Sequence, residues 1–400
     1  MNVSEFLSKS YTCYHAVENA LAILKKAGFA ELSSVGKNKA AKGYYRADGG
    51  SLFAIKLGAE NIQLALSHTD SPCLRLRYDG GTLLGVEKYG GGLLRSYFDV
   101  KLKIAGRVAV EKGGVLRAEN VCSDFNAVIP SLAVHLGGGE NGETFSVSRD
   151  MVPLLGDCGN LFAMLGVPDA VDGELFCVPA EAPFECGAGG EYICSPRIDN
   201  LASVYASVKA LAECENKSTC VAACFNSEET GSETRDGARS QKLRAFIADA
   251  LKTAGIKEDC DALLSRAFAF SCDGAHALHP NRPDKYSSGA PTLGGGVVIK
   301  RNDRYATDCL TSAAARKIFS DAGLKTQVYR HHPDLRCGST IGLMAASGLG
   351  TAVCDIGVAQ LAMHSAAETA AFSDIDALAA GLTAFFNREV IVSENEITVK

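Results

Sequence analysis

Four short apolar segments, separated by longer stretches with helical spacing, constrain the fold of this 400-residue chain more than any other feature. Short, largely apolar segments of this kind are typical of strands that helices bury on both faces. They are residues 61–67, 219–225, 267–271 and 351–356. The stretches with helical spacing include residues 201–213, 239–253 and 312–322. The alternation predicts an α/β fold, a three-layer sandwich with a mostly parallel central sheet.

A block near residues 78–191 has a different character, because glycine pairs and triplets interrupt short alternating segments. The chain also exceeds the roughly 250 to 300 residues that one hydrophobic core supports. We therefore expect a discontinuous α/β domain of residues 1–77 and 192–400, with a β-rich domain inserted at 78–191. Residues 3–27 have helical spacing and end before a glycine, which predicts one N-terminal helix.

Composition argues against several kinds of partner. The chain has no run of about 18 to 20 apolar residues, and its first 30 residues carry charges throughout, so we expect neither a membrane span nor a secretory signal. The net charge is −6 and the Lys and Arg residues are scattered, which argues against nucleic acid as a partner. Fifteen cysteines without a Cys-x-x-Cys pair indicate reduced thiols and a cytoplasmic protein.

Motifs of several large enzyme classes are absent from the sequence. There is no Gly-x-x-x-x-Gly-Lys-Ser/Thr loop, and the glycine cluster at residues 187–190 lacks the spacing of a dinucleotide fingerprint. There is also no Gly-x-Ser-x-Gly elbow and no His-Glu-x-x-His helix. Nucleotide chemistry, serine hydrolysis of that type and single-zinc proteolysis therefore lose support.

His68 and Asp70 directly follow the first apolar segment, at a predicted strand end where open α/β sheets place their ligand sites. Residues two apart in extended chain point the same way, so Asp70 could accept the second ring N–H of His68 and orient the imidazole toward a metal. Taken alone, the two residues are more simply a surface polar cluster.

Glu228 and Glu229 follow the second apolar segment. One carboxylate could bind a cation while the other acts as a general base toward a water molecule. The simpler interpretation of such a pair is a solvated acidic turn.

Three further positions complete a pattern. Asp273 and His276 follow the third apolar segment, and His364 follows the fourth at the predicted start of an alanine-rich helix. Asp199 lies at another predicted helix start, where its simplest role is an N-cap. Together, imidazole and carboxylate groups near four strand ends match the ligands that two divalent ions need, with one carboxylate bridging them.

The sequence resembles the aspartyl aminopeptidase family of co-catalytic zinc metallopeptidases. The resemblance extends from Tyr14-His15-Ala16 almost to the end of the chain. The motifs that carry the resemblance are Ser67-His68-Thr69-Asp70-Ser71-Pro72, Arg197-Ile198-Asp199-Asn200-Leu201, Glu228-Glu229-Thr230-Gly231-Ser232, Asp273-Gly274-Ala275-His276, Cys337-Gly338-Ser339-Thr340-Ile341-Gly342 and Met363-His364-Ser365. They stand in the family's order, and the family fold is a zinc-peptidase α/β sandwich with an inserted domain that serves as dimerisation domain and lid.

The resemblance implies two divalent ions per subunit, of which zinc is the leading choice and manganese or cobalt would accept the same ligands. One ion would be held by His68 and Asp273, the other by Glu229 and His364, and Asp199 would bridge them. In the same comparison, Glu228 is the general base and Asp70 orients the first histidine.

The resemblance also implies substrate contacts at His276, Lys300 and Tyr305, with Lys300 able to pair with an acidic first side chain. Without the resemblance, the simpler interpretation of a single Lys is a solvated surface charge. Arg95 stands where the family has a histidine that contributes to a neighbouring subunit's active site. A guanidinium can stabilise an oxyanion or bind an acidic substrate, but it does not shuttle protons near neutral pH.

The sequence thus predicts a cytoplasmic aminopeptidase that releases N-terminal residues from peptides, with Asp and Glu as candidate residues, by metal-activated water. The resemblance further implies a homo-oligomer, a tetrahedral dodecamer of dimers assembled through the inserted domain. Two alternative hypotheses remain: the protein is a related two-metal deacylase or amidohydrolase, or it is a catalytically silent oligomeric scaffold.

Overall fold

The computed structural model describes residues 1–34, 41–137, 144–156, 159–286 and 289–400. Its helices are α1 (Val3–Lys9), α2 (Cys13–Lys26), α3 (Val147–Asp150), α4 (Leu161–Met164), α5 (Ile198–Glu213), α6 (Lys242–Thr253), α7 (Cys260–Ser265), α8 (Cys309–Asp321), α9 (Ile341–Leu349) and α10 (Phe372–Phe386). Its strands are β1 (Phe29–Glu31), β2 (Gly43–Asp48), β3 (Ser51–Lys56), β4 (Ala59–His68), β5 (Cys73–Asp79), β6 (Thr82–Tyr89), β7 (Leu102–Lys112), β8 (Val115–Cys122), β9 (Ala170–Pro179), β10 (Phe184–Cys186), β11 (Tyr192–Ser195), β12 (Ser218–Phe225), β13 (Phe268–Cys272), β14 (Ala275–His276), β15 (Val297–Lys300), β16 (Thr326–Tyr329), β17 (Ala352–Gly357), β18 (Ala359–Leu361), β19 (Glu368–Ala371), β20 (Val390–Val392) and β21 (Ile397–Val399).

The central sheet has nine strands in the order β1-β2-β3-β12-β4-β13-β17-β15-β16. Five of its eight neighbouring pairs are parallel. The four apolar segments of the sequence are β4, β12, β13 and β17, which lie side by side near the middle of the sheet. The predicted α/β fold with a mostly parallel central sheet is confirmed.

Side chains of the central strands alternate between two hydrophobic cores, one on each face of the sheet. Val221 and Ala223 of β12 pack in a core with helices α6, α7 and α9. Ala222 and Cys224 of the same strand pack in a core with α1, α2, α5, α8 and α10. Because each face is covered by helices, the central strands are apolar at almost every position and the domain has three layers.

A separate antiparallel sheet of order β6-β5-β9-β7-β8 has a core of its own and spans residues 73–179. The predicted boundary after residue 77 falls inside β5. A third sheet, β10-β11-β19-β18-β14, joins strands just after this region to β14 and to β18 and β19, which lie later in the chain. It brings distant segments to the edge of the central sheet where the predicted site residues lie.

Two local predictions are wrong. The predicted N-terminal helix is two helices, because Ser10 ends α1 with its hydroxyl donating to the Phe6 carbonyl at 2.7 Å. His364 does not open a helix: it lies in a turn with a positive φ of 68°, and α10 begins only at Phe372. The intervening residues instead form β19, which pairs with β11 and β18. Among the described residues, no helix is both long and apolar enough to cross a membrane.

Candidate active site

Six predicted side chains meet in one cleft at the carboxyl ends of β4, β12 and β13, in a cavity of about 650 Å³. They are His68, Asp199, Glu228, Glu229, Asp273 and His364. The parallel arrangement of the three strands brings His68, the glutamate pair and Asp273 to the same edge of the sheet. Asp199 comes instead from the start of α5, and His364 from the turn after β18. We call this cavity the active-site cleft.

The candidate ligand atoms form three groups, and two of these groups share Asp199. His68 Nε2 lies 3.6 Å from Asp199 Oδ1 and 3.5 Å from Asp273 Oδ1. His364 Nε2 lies 3.4 Å from Asp199 Oδ2 and 3.1 Å from Glu229 Oε1. The two carboxylate oxygens of Asp199 therefore face different histidines, as a bridging ligand requires.

The residues present fit divalent cations. Within each group, one ligand atom per residue lies within 4.8 Å of the others. Asp199 Oδ1 is buried and has no hydrogen-bond partner, an arrangement that is costly unless a cation binds the oxygen. Imidazole nitrogens with carboxylate oxygens are a donor set that zinc accepts.

Asp70 holds both sides of the cleft in place. Its backbone carbonyl lies 3.0 Å from Nδ1 of His68, closer than its carboxylate oxygen at 3.4 Å, so main chain and side chain together orient the imidazole. The carboxylate accepts hydrogen bonds from the backbone N–H groups of Glu228 at 3.1 Å and Glu229 at 3.2 Å, and from the Tyr89 hydroxyl at 2.9 Å. Asp70 thus positions the glutamate pair as well, which the sequence pattern did not suggest.

Glu368 and Gly91 are positioning residues that the sequence analysis missed. The buried carboxylate of Glu368 accepts hydrogen bonds from the backbone N–H groups of Asp199 at 2.8 Å and His364 at 2.6 Å. The Gly91 carbonyl lies 3.2 Å from Nδ1 of His364. The only sequence signal for Glu368 was a lone carboxylate in the small-residue segment Ala366-Ala367-Glu368-Thr369-Ala370-Ala371.

Burial sets the electrostatics of the cleft. Burial, with the nearby Asp273 carboxylate, raises the pKa of Glu228 to about 8 against the opposing charge of His68. Burial alone would also raise the pKa of Asp273, but the charge of Lys300 and the hydrogen bond to His68 hold it well below its usual value. Cations bound at this site would lower the pKa of Glu228 again, because they stabilise the ionised form of every carboxylate near them.

The predicted substrate contacts are divided between two places. His276, Lys300 and Tyr305 line the active-site cleft with the ligand groups. Lys300 is buried, with its Nζ 3.4 Å from Asp273 Oδ2 and 5.5 Å from the centre of the Tyr305 ring. Arg95 is exposed and lines a different surface cavity with Phe98, so it does not enter the cleft of its own chain.

A second cavity of about 550 Å³ adjoins the cleft and shares His331, Arg336 and Cys337 with it. Four arginines line this second cavity: Arg301, Arg304, Arg330 and Arg336. Within the described parts of the chain, none of the four has a carboxylate within 4 Å. We call this space the arginine cavity.

A buried cluster of histidines and carboxylates at the carboxyl edge of a three-layer α/β sheet is the site of a metal-dependent hydrolase. The model of the family described as "Aminopeptidase I zinc metalloprotease (M18)" matches residues 6–161 and 162–386. The chain belongs to this family of metallo-aminopeptidases, which confirms the resemblance drawn from the motifs.

Individual relatives agree with the family match. The chain is 35% identical over 419 residues to a probable M18 family aminopeptidase 2 from Ectopseudomonas mendocina (strain ymp), with 96% of both chains covered. Ape4, from the cryo-EM structure of the Ape4 and Nbr1 complex, superposes with a TM-score of 0.87 at 30% identity, covering 96% of this chain and 84% of that one. The mApe1 dodecamer of Saccharomyces cerevisiae shares the fold, with a TM-score of 0.80 at 24% identity and coverage of 96% and 95%.

Proposed function

We propose that this aminopeptidase uses two divalent ions in the active-site cleft, with Glu228 as general base, and that it prefers peptides that begin with Asp or Glu. The observation that carries the proposal is the sharing of Asp199 by two clusters of ligand atoms, with the Glu228 carboxylate beside them. His68 and Asp273 would hold one ion, and Glu229 and His364 the other. When bound, such ions polarise a carbonyl group and make water a stronger acid.

The chain's own residues would then move the proton. Glu228 Oε2 lies 3.9 Å from His68 Nε2, so its carboxylate is within the ligand cluster without being needed to complete either group that shares Asp199. It would take the proton from the attacking water and return it to the amine nitrogen of the departing peptide. The hydrogen bonds from the Glu228 and Glu229 backbone to Asp70 hold the loop that presents this carboxylate.

The preference for acidic residues rests on the positive charge beside the cleft. Lys300 is at the wall of the cleft, but its ammonium group already faces Asp273. The arginine cavity adds guanidinium groups that lack a carboxylate partner in the described structure, and Arg336 lines both spaces. A carboxylate side chain of the substrate would find its counter-charge there.

We further propose that the subunits assemble through the inserted region, with zinc as the native metal and the cytoplasm as the location. Most of the large exposed apolar side chains are in that region, including Leu84, Leu116, Val134 and Leu136. The mApe1 relative is a dodecamer, which supports assembly into a dodecamer of dimers. In such an assembly Arg95 would act in a neighbouring subunit's cleft. The described cysteines are all free, as a reducing compartment requires.

The test is hydrolysis of aminoacyl chromogenic amides with Asp, Glu, Ala and Lys at the first position, by protein of measured metal content, with and without a chelator. We expect chelator-sensitive release and the highest kcat/KM with Asp and Glu. Equal turnover of all four amides would remove the acidic preference and leave the mechanism. Turnover of N-acyl amino acids alone would indicate a deacylase. No turnover of any substrate by protein with two bound metals would indicate a silent scaffold.

A further inference from the structure

A cavity of about 330 Å³ lies on the far side of Asp70 from the ligand cluster, between the N-terminal segment and the inserted sheet. Its walls come from residues 11–14, from β5 and β9, and from the chain around residues 226–236. None of the six cluster side chains lines it, whereas Asp70 and Arg197 do. We call it the rear cavity.

Arg197 in the wall of the rear cavity is a buried cation without a counter-charge. The residue is only 7% exposed, and in the described structure no carboxylate lies within 4 Å of its guanidinium group. One nitrogen donates to the Pro179 carbonyl at 2.7 Å, and the Tyr11 ring centre is 5.7 Å away. Its Nε has no hydrogen-bond partner. An arginine stays charged at any physiological pH, so a buried and unpaired one is costly unless an anion reaches it.

The other groups around the rear cavity do not supply the missing acceptor either. Arg75 lies near the rings of Tyr89 and Phe176, and one of its terminal nitrogens is 3.6 Å from Glu87 Oε1, but its Nε is buried without a partner. The three carboxylates in the wall are already engaged: Asp70 by the hydroxyl of Tyr89 and two backbone N–H groups, Asp236 by Lys242, and Glu174 by the hydroxyl of Tyr14. The rear cavity thus mainly lacks a hydrogen-bond acceptor for the guanidinium group of Arg197 and for Nε of Arg75.

We propose that the rear cavity binds a small organic carboxylate, of the size of a free amino acid, whose carboxylate group pairs with Arg197 and Arg75. The cavity is larger than a single inorganic ion needs, and the rings of Tyr89 and Phe176 offer an apolar surface for a short side chain. Exposed Thr234 and Arg235 in its lining provide an opening to solvent.

This site is separate from the proposed catalytic chemistry, but it is linked to the cleft by covalent and hydrogen-bonded neighbours. Arg197 is two residues before Asp199, and Asp70 holds the backbone of Glu228 and Glu229. A carboxylate bound here therefore stabilises the segments that carry the ligand cluster. Binding does not require turnover, so the site can be tested in a protein whose catalytic base has been replaced.

The test uses metal-loaded Glu228→Gln protein in two arms, so that the amide used as a control is not hydrolysed to the free amino acid. Crystals soaked in sodium bromide or in L-alanine locate the ligand, and we expect density within hydrogen-bonding distance of Arg197 Nε in both. The midpoint temperature of thermal unfolding should rise by about 2 °C when L-alanine is present at ten times its Kd. L-Alaninamide lacks the carboxylate, so it should leave the rear cavity empty and should not raise the unfolding temperature by binding there.

Arg75→Gln and Arg77→Gln form the matched pair of variants, because both arginines lie on β5 but only Arg75 lines the rear cavity. We expect Arg75→Gln to weaken L-alanine binding about tenfold and Arg77→Gln to leave it unchanged. Ordered water alone in both soaks would overturn the proposal. Bromide density without L-alanine density would also overturn it, since the site would then take only inorganic anions.

Discussion

Nδ1 of His364 lies 3.2 Å from the carbonyl oxygen of Gly91, a residue of the inserted region. A carbonyl only accepts, so Nδ1 carries the proton and Nε2 is left free to face Asp199 and Glu229. Two residues further along the chain from Gly91, the Leu93 N–H donates to the His364 carbonyl at 2.8 Å. The insertion therefore orients one of the proposed metal ligands, in addition to any role in assembly.

Replacing Glu228 with Gln removes the proposed base and keeps the shape of the side chain. We expect kcat to fall by a factor of about 10² to 10⁴ while bound metal, measured by mass spectrometry, stays at the wild-type level. Glu233→Gln is the control, because Glu233 is an exposed carboxylate five residues further along the same loop. Wild-type turnover in Glu228→Gln would exclude this residue as the base.

Replacing Glu368 with Gln places an amide N–H₂ against one of two backbone N–H groups that now donate to the carboxylate. Because those groups belong to Asp199 and His364, we expect metal affinity to weaken by a factor of about 10 to 100. Competition with a chelator measures the affinity, and exposed Glu394→Gln is the control. Unchanged affinity would mean that Glu368 does not position the ligands.

The pH dependence of stability should reveal the environment of Glu228 in the metal-free protein. Its pKa rises from 4.5 to about 8 on folding, mainly through burial. A raised pKa stabilises the folded state below about pH 4.5, and this stabilisation is lost as the pH rises toward 8. We expect the free energy of unfolding to fall by a few kcal/mol over this window. Denaturant titrations should show a smaller decline in Glu228→Gln, and equal declines would contradict the shift.

Arg336 should contribute to selection of acidic substrates. We expect Arg336→Gln to lower kcat/KM for Glu and Asp amides about three- to tenfold, with little change for the Ala amide, because a partly exposed charge pair is weak. Higher salt should reduce the wild-type preference by screening. Arg316→Gln, on the exposed face of α8, is the control. A uniform loss across all amides would assign Arg336 a structural role instead.

Arg95 should act across a subunit boundary. We expect Arg95→Ala and Glu228→Gln each to be impaired alone, whereas co-expressed subunits should recover activity, because one partner supplies Arg95 and the other the base. Random pairing in two-fold dimers would restore about one quarter of the wild-type sites. Light scattering must show that both variants assemble normally. Absence of recovery in mixed assemblies would exclude the shared site.

Much of the architecture could be predicted from local patterns. The apolar segments matched β4, β12, β13 and β17 to within two residues, because a strand covered on both faces must be apolar along its whole length. His68, Glu228 and Asp273 could be placed in one site for a related reason: they lie at or just after the carboxyl ends of parallel strands, which share an edge of the sheet.

Other features depend on contacts between residues far apart in the chain, which no local pattern encodes. The turn at His364 exists because residues 368–371 pair as β19 with two other strands, overriding the helical preference of an alanine-rich segment. The roles of Glu368 and Gly91, and the unpaired charge of Arg197, likewise follow from which groups packing brings together. Sequence periodicity reports where apolar surface must be buried, whereas the partners of buried polar groups are chosen only when the layers assemble.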